Sequence, residues 1–155
     1  MGDLPSVGIR LLDARLTGWG FPRWGSEAAA GLDLHACLDE TLDLAPDSAA
    51  TLIPAGFSVL IRDPAWCGLV FPRSGRGHRD GLILGNGTGV IDADYEGPLM
   101  ISAWNRSRQP LRIEPGERIA QLVFTRIARP VLSVLDGPDG PGSARGEGGF
   151  GSSGR

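Results

Sequence analysis

Residues 111–124 read LRIEPGERIAQLVF. Leu111 and Ile113 alternate with Arg112, and the run 118–124 is apolar apart from Arg118 and Gln121. Between them stands Glu114-Pro115-Gly116-Glu117, with proline and glycine in the order a tight turn prefers. The stretch therefore predicts two short strands joined by a turn, not a helix. Outward from it, the same short, broken apolar pattern recurs at 7–11, 41–44, 57–61, 66–71, 81–84, 99–104 and 131–135, the last predicted as a final strand. Many short strands at close spacing imply an all-β sandwich or barrel.

Composition agrees. The chain has 155 residues, enough for one domain with a real core, and 41% of them are apolar. Its 24 glycines and 12 prolines are spread along the chain, which suits many turns. A net charge of −3 lacks the electrostatic footprint of a nucleic-acid binder. All 15 basic residues are arginine, so any phosphate site must use guanidinium groups. Cys37 and Cys67 form neither a metal-ligand spacing nor a disulfide framework, and read as reduced thiols. No charged-then-apolar leader and no apolar run of membrane length is present, so the expected location is cytoplasmic. At 137 the composition changes to Gly, Pro, Ser and charge, dividing the chain into a β-domain over 1–136 and a flexible tail over 137–155.

Five segments carry polar groups with chemical potential. Residues 26–36, SEAAAGLDLHA, place Asp33 opposite Leu32 and Leu34 on an edge-type strand. Residues 71–75, FPRSG, combine a fixed proline, a permissive glycine and the donors of Arg73 and Ser74, the makings of an oxyanion nest with Gly75. Residues 85–100, GNGTGVIDADYEGPLM, open on Gly85, Gly87 and Gly89, which let backbone approach a planar or bent ligand closely. Asp92 and Asp94 follow; on a strand they share a face, with Tyr95 on the other. Beside Val90 and Ile91, such a carboxylate is a candidate general base, though the residues alone do not choose between the two acids. Gln121 interrupts the core-like run 117–124, ERIAQLVF. Residues 145–154, RGEGGFGSSG, have glycines but no lysine and no following helix, so they are not a P-loop. They suit a cover for an anionic ligand, with Arg145, Ser152 and Ser153 as donors and Phe150 as a stacking ring.

In order and spacing, these segments resemble the five motifs of the trimeric dUTPase family, in its bacterial form. The resemblance implies a distorted β-barrel of jelly-roll type, a homotrimer with active sites shared between subunits, and hydrolysis of dUTP to dUMP and pyrophosphate. That activity limits uracil in DNA and supplies dUMP for thymidylate synthesis. It implies Asp92 as the base that activates water for attack on the α-phosphorus, with Asp94 only supporting. Uracil would be read by Asn86 and by backbone near Val90, Ile91 and Met100, and Tyr95 would pack on the deoxyribose. Arg73, Ser74, Gly75 and Gln121 would hold the triphosphate, with Mg²⁺ brought mainly by the phosphates and Asp33 acting on it through water. Arg145 and Phe150 would close over the γ-phosphate and uracil.

Thr88, Ser153 and Arg76 depart from the family pattern, Arg76 adding an unusual positive charge. Two rival readings are a dCTP deaminase-like or bifunctional enzyme and a non-catalytic regulatory trimer. The tail and Tyr95 argue against the first, and the retained base and tail against the second.

Overall fold

The computed structural model describes residues 4–135. Eleven strands account for nearly all its regular structure: β1 (Gly8–Leu11), β2 (Leu32–His35), β3 (Leu42–Leu44), β4 (Thr51–Pro54), β5 (Phe57–Leu60), β6 (Trp66–Pro72), β7 (Leu82–Leu84), β8 (Gly89–Ile91), β9 (Met100–Asn105), β10 (Leu111–Ile113) and β11 (Arg118–Arg126). One helical turn, Arg15–Gly18, buries Leu16, and a π-helical turn, Arg76–Asp80, follows β6. The pairings are antiparallel: β2-β11-β6-β8, β4-β9-β7, β1-β5 and β10-β3. The small sheets wrap one core into a distorted β-barrel of jelly-roll type, the architecture expected from the sequence.

Inward-pointing residues of the sheets supply that core. Leu34, Ile53, Phe57, Val59, Ile101, Ile113, Ile119 and Leu122 are essentially inaccessible to solvent. Each such side chain stabilises the fold by about 1.5–3 kcal/mol through burial. Two strands escape the sequence reading. Thr51–Pro54 ends in proline and pairs only with β9, while Gly89–Ile91 sits within a segment read as a glycine-rich turn. The expected strand over 131–135 does not form. Val131, Leu132, Val134 and Leu135 are exposed, because no strand among the described residues pairs with them.

The turn at 114–117 has the predicted chemistry. The Glu117 amide donates to the Glu114 carbonyl at 3.1 Å, and Gly116 has φ of +77°. It does not make a hairpin, however: β10 pairs with β3, whereas β11 pairs with β2 and β6. The turn carries the chain from one sheet to the next.

Candidate functional site

Strands β2 and β11 bring the first and fourth segments together. Asp33 and Gln121 are cross-strand partners, and the loop after β6 adds Arg73, Ser74 and Gly75 to the same cavity of about 480 Å³. Gln121 Nε2 donates to the Pro72 carbonyl at 2.9 Å, tying β11 to that loop. Gly31 is required beside it, because a Cβ there would run into the Gln121 side chain. Three segments distant in sequence thus converge through backbone pairing.

Arg118 was not singled out in the sequence, yet it lines this cavity. Between Arg118 and Ala120 the pairing of β11 with β2 shifts register, which is a β-bulge. On a regular strand, residues three apart point to opposite faces; the bulge lets Arg118 and Gln121 face the same cavity. Arg118 and Arg73 both address Asp33. Arg73 Nε lies 3.0 Å from Asp33 Oδ1, and Arg118 Nη1 lies 3.0 Å from Asp33 Oδ2. One carboxylate is shared by two guanidiniums, leaving the cavity net positive. Only the position of Arg118 at the head of an alternating strand hints at this in the sequence.

The third segment forms a separate cleft. Val90, Ile91, Asp92, Tyr95, Pro98, Leu99 and Met100 line a space of about 190 Å³. The Tyr95 hydroxyl donates to the Pro98 carbonyl at 2.9 Å, and the ring lies so close to Gly97 that a Cβ there would meet the phenol oxygen at 2.5 Å. Asp92 follows β8 directly, and a turn closes after it, the Tyr95 amide donating to the Asp92 carbonyl at 3.2 Å. The two acids therefore lie in a turn and not along one strand face. Asp92 lines the cleft; Asp94 does not, lining only a neighbouring cavity that Asp92 also borders.

The glycine-rich turn is not a hairpin, since β7 pairs with β9 and β8 with β6, and it is more specialised than its sequence implies. Gly87 adopts φ of +73° with open space around it. Gly85 instead lies against Ala50, and Gly89 packs on Val70, where a Cβ would sit 3.1 Å from the Val70 Cβ. Two of the three alternate glycines are thus occupied by internal packing. Asn86 is exposed in this turn and does not line the Tyr95 cleft. Arg145, Phe150, Ser152 and Ser153, with the rest of the proposed tail, lie outside the described residues.

Arg76 is not a free charge. Its guanidinium pairs with Asp80 at 2.9 Å, lies 2.8 Å from Glu117, and donates to the Arg112 carbonyl at 2.8 Å. It fastens the π-helical turn behind Arg73-Ser74-Gly75 to the β10–β11 connection. Asp80, held by Arg79 and Arg76, titrates well below the usual carboxylate range, at about 2. Burial pushes the Cys37 thiol up to about 11. Among the described residues, no three His, Cys, Asp or Glu side chains are grouped to hold a metal ion. Among the described residues, Asp33 is the one carboxylate on the cavity that holds Arg73, Ser74 and Gln121, and its oxygens face guanidiniums. That donor set suits a cation carried by phosphates and water, touched by protein only at its outer shell. No helix among the described residues is long and apolar enough to cross a membrane.

Residues 18–154 match the dUTPase family model. A deoxyuridine 5'-triphosphate nucleotidohydrolase of Xanthomonas campestris pv. campestris is 52% identical over 150 residues, covering 96% of this chain and 97% of its own. The enzyme of the same name from Xylella fastidiosa is 52% identical over 147 residues, covering 94% and 93%. Among solved structures, Staphylococcus bacteriophage 80alpha dUTPase with dUPNHPP superposes with a TM-score of 0.82 at 30% identity, over 97% of this chain and 99% of that one. A dUTPase from phage phi11 of S. aureus, described with a structural Mg(II) ion, shares the fold with a TM-score of 0.74 at 24% identity, over 87% and 99%. A family model spanning most of the chain and relatives identical at half their positions lead to one conclusion: the chain belongs to the dUTPase family.

Proposed function

We propose that this chain hydrolyses dUTP to dUMP and pyrophosphate, with Asp92 as the base, in a homotrimer whose active sites are each assembled from more than one subunit. The reading rests on membership of the dUTPase family and on one observation. The Asp92 cleft and the Arg73 cavity are lined by entirely separate sets of residues. One is small and largely apolar, fit for a base and sugar; the other is cationic, fit for phosphates. Pairing the cleft of one subunit with the cavity of another completes a nucleoside triphosphate site. The exposed Val131, Leu132 and Val134 give each chain apolar surface that a neighbour can cover.

In this arrangement uracil enters the cleft, its edge read by backbone near Val90, Ile91 and Met100, with Asn86 reaching in from the glycine-rich turn. Tyr95, fixed through Pro98, packs on the deoxyribose and leaves no room for a 2′-hydroxyl. Arg73, Ser74, the backbone at Gly75 and Gln121 hold the triphosphate, guanidinium forks matching phosphate oxygens. Asp92 takes a proton from a water whose oxygen bonds to the α-phosphorus as the bond to the bridging oxygen breaks and pyrophosphate leaves. Mg²⁺ bound with the triphosphate would supply positive charge against its oxygens, and Asp33 would act on it through water. The tail then covers the site, Arg145 at the γ-phosphate, Phe150 on uracil, and Ser152 and Ser153 as further donors. The protein works in the cytoplasm.

Pyrophosphate release measured in parallel with dUTP, dTTP, dCTP and UTP, with and without Mg²⁺, tests the reading. Rapid Mg²⁺-dependent release from dUTP alone is expected. Ammonia release from dCTP, or comparable turnover of UTP, overturns it.

A further inference from the structure

The Asp33–Arg118 pair borders two cavities. Beyond the one that holds Ser74 and Gln121 lies a larger one of about 840 Å³, contiguous with it through Asp33, Arg73, Gly75 and Arg118. Trp19 and Trp24 wall this second basin, and Arg23, Arg76 and Arg79 join Arg73 and Arg118 around it. Carboxylate is in short supply there. Asp33 serves both Arg73 and Arg118, while Asp80 and Glu117 serve Arg76 and Arg79. Arg23 has no carboxylate within ion-pair distance among the described residues, so the basin stays net positive.

A second feature marks the basin as unfinished. His35 lines it at 6% exposure, stacked on Trp19 with ring centroids 5.9 Å apart. Its Nδ1 has no hydrogen-bond partner among the described residues. Polar groups so deeply buried are nearly always satisfied, so His35 brings to the wall of the basin a nitrogen still open to a hydrogen bond.

We propose that this basin is a second anion subsite that takes inorganic pyrophosphate, receiving it from the phosphate cavity through the shared Asp33–Arg73–Arg118 boundary. The proposal rests on the functional reading above, since that reaction releases pyrophosphate next to the basin. Pyrophosphate suits the basin chemically: its several anionic oxygens can each engage a separate planar guanidinium. Occupation would retain product beside the phosphate cavity and slow its departure.

The test uses the full-length protein with Mg²⁺ at fixed ionic strength. Turnover of dUTP is followed with added pyrophosphate, and sulfate serves as a control for charge alone. Arg23→Ala and Arg79→Ala change exposed side chains outside the proposed dUTP contacts. Each is expected to raise the half-inhibitory pyrophosphate concentration roughly tenfold, the worth of one charge-assisted hydrogen bond, with KM and kcat for dUTP within about twofold. Unchanged inhibition in both variants overturns the proposal, as does sulfate inhibiting as strongly as pyrophosphate. Calorimetric titration of pyrophosphate without nucleotide reads the basin independently. If the wild type binds pyrophosphate and Arg23→Ala does not, while neither turns over dUTP, the functional reading fails and the subsite stands.

Discussion

Arg73 and Asp33 face each other across the β2–β6 side of the cavity, with Nε and Oδ1 3.0 Å apart, and Arg118 takes the other oxygen of the same carboxylate. A residue expected at a metal shell and one expected at a phosphate are thus paired with each other. An incoming triphosphate competes with Asp33 for Arg73, so part of its binding energy is spent separating that pair.

Removing the carboxylate charge makes this visible. Asp33→Asn is expected to strengthen binding of a non-hydrolysable dUTP analogue severalfold when Mg²⁺ is chelated, because two guanidiniums lose their competitor. With Mg²⁺ present, kcat should fall by about tenfold or more as the outer-shell contact is lost. Equal losses in both conditions, measured by titration and steady-state rates, contradict this exchange of partners.

The two acids of the third segment separate by position. Asp92→Asn is expected to lower kcat by roughly 10²–10⁴-fold with analogue binding retained. Asp94→Asn should stay within about threefold of wild type, since Asp94 does not line the cleft. Comparable losses in the two variants would return the choice of base to an open question.

Gly31 offers a test of how Gln121 is held. A Cβ at this position collides with the Gln121 side chain, so Gly31→Ala must displace the amide from the Pro72 carbonyl. KM for dUTP should rise about tenfold, with a smaller change in kcat. Gln121→Leu, which removes the same hydrogen bond without crowding, should show a similar KM. Normal KM in both would make this link irrelevant to binding.

His35 sets a pH dependence. Burial pushes its imidazole below the ordinary value of 6.5; Asp33 opposes this, while Arg118 and Arg73 reinforce it. The folded chain therefore binds this proton less readily than the unfolded chain does. The stability is complete above about pH 6.5 and declines as pH falls from there toward the lower folded value. Urea midpoints at pH 7.5 and pH 5, at one protein concentration, should differ less in His35→Phe than in wild type. An unaltered pH slope in the variant would assign the acid sensitivity elsewhere.

Much was legible in the chain itself. Alternation at 57–61 and 99–104, and the Pro-Gly turn at 114–117, predicted an all-β fold because strand periodicity and turn stereochemistry are local properties. The order of the five motifs brought Asp33, Arg73, Ser74, Gly75 and Gln121 into one expected site, and β2, β6 and β11 carry them to one cavity. Segment 131–135 has equally strand-like residues yet forms no strand with any of the described residues, because a strand needs a partner edge as well as propensity.

What tertiary structure alone decided is how side chains converge. The bulge at Ile119 turns Arg118 toward Asp33, and a bulge is a property of two strands paired, invisible in either one. The closing turn after Asp92 leaves Asp92 on the Tyr95 cleft and Asp94 off it, although their spacing on a strand would have kept them on one face. Arg76 reads as surplus charge until Asp80, Glu117 and the Arg112 carbonyl are seen around it. The sequence by itself determined which residue types are available and in what order. Long-range pairing decided which of them share a carboxylate, because electrostatic and hydrogen-bond partners are set by distances of a few ångströms that local periodicity does not encode.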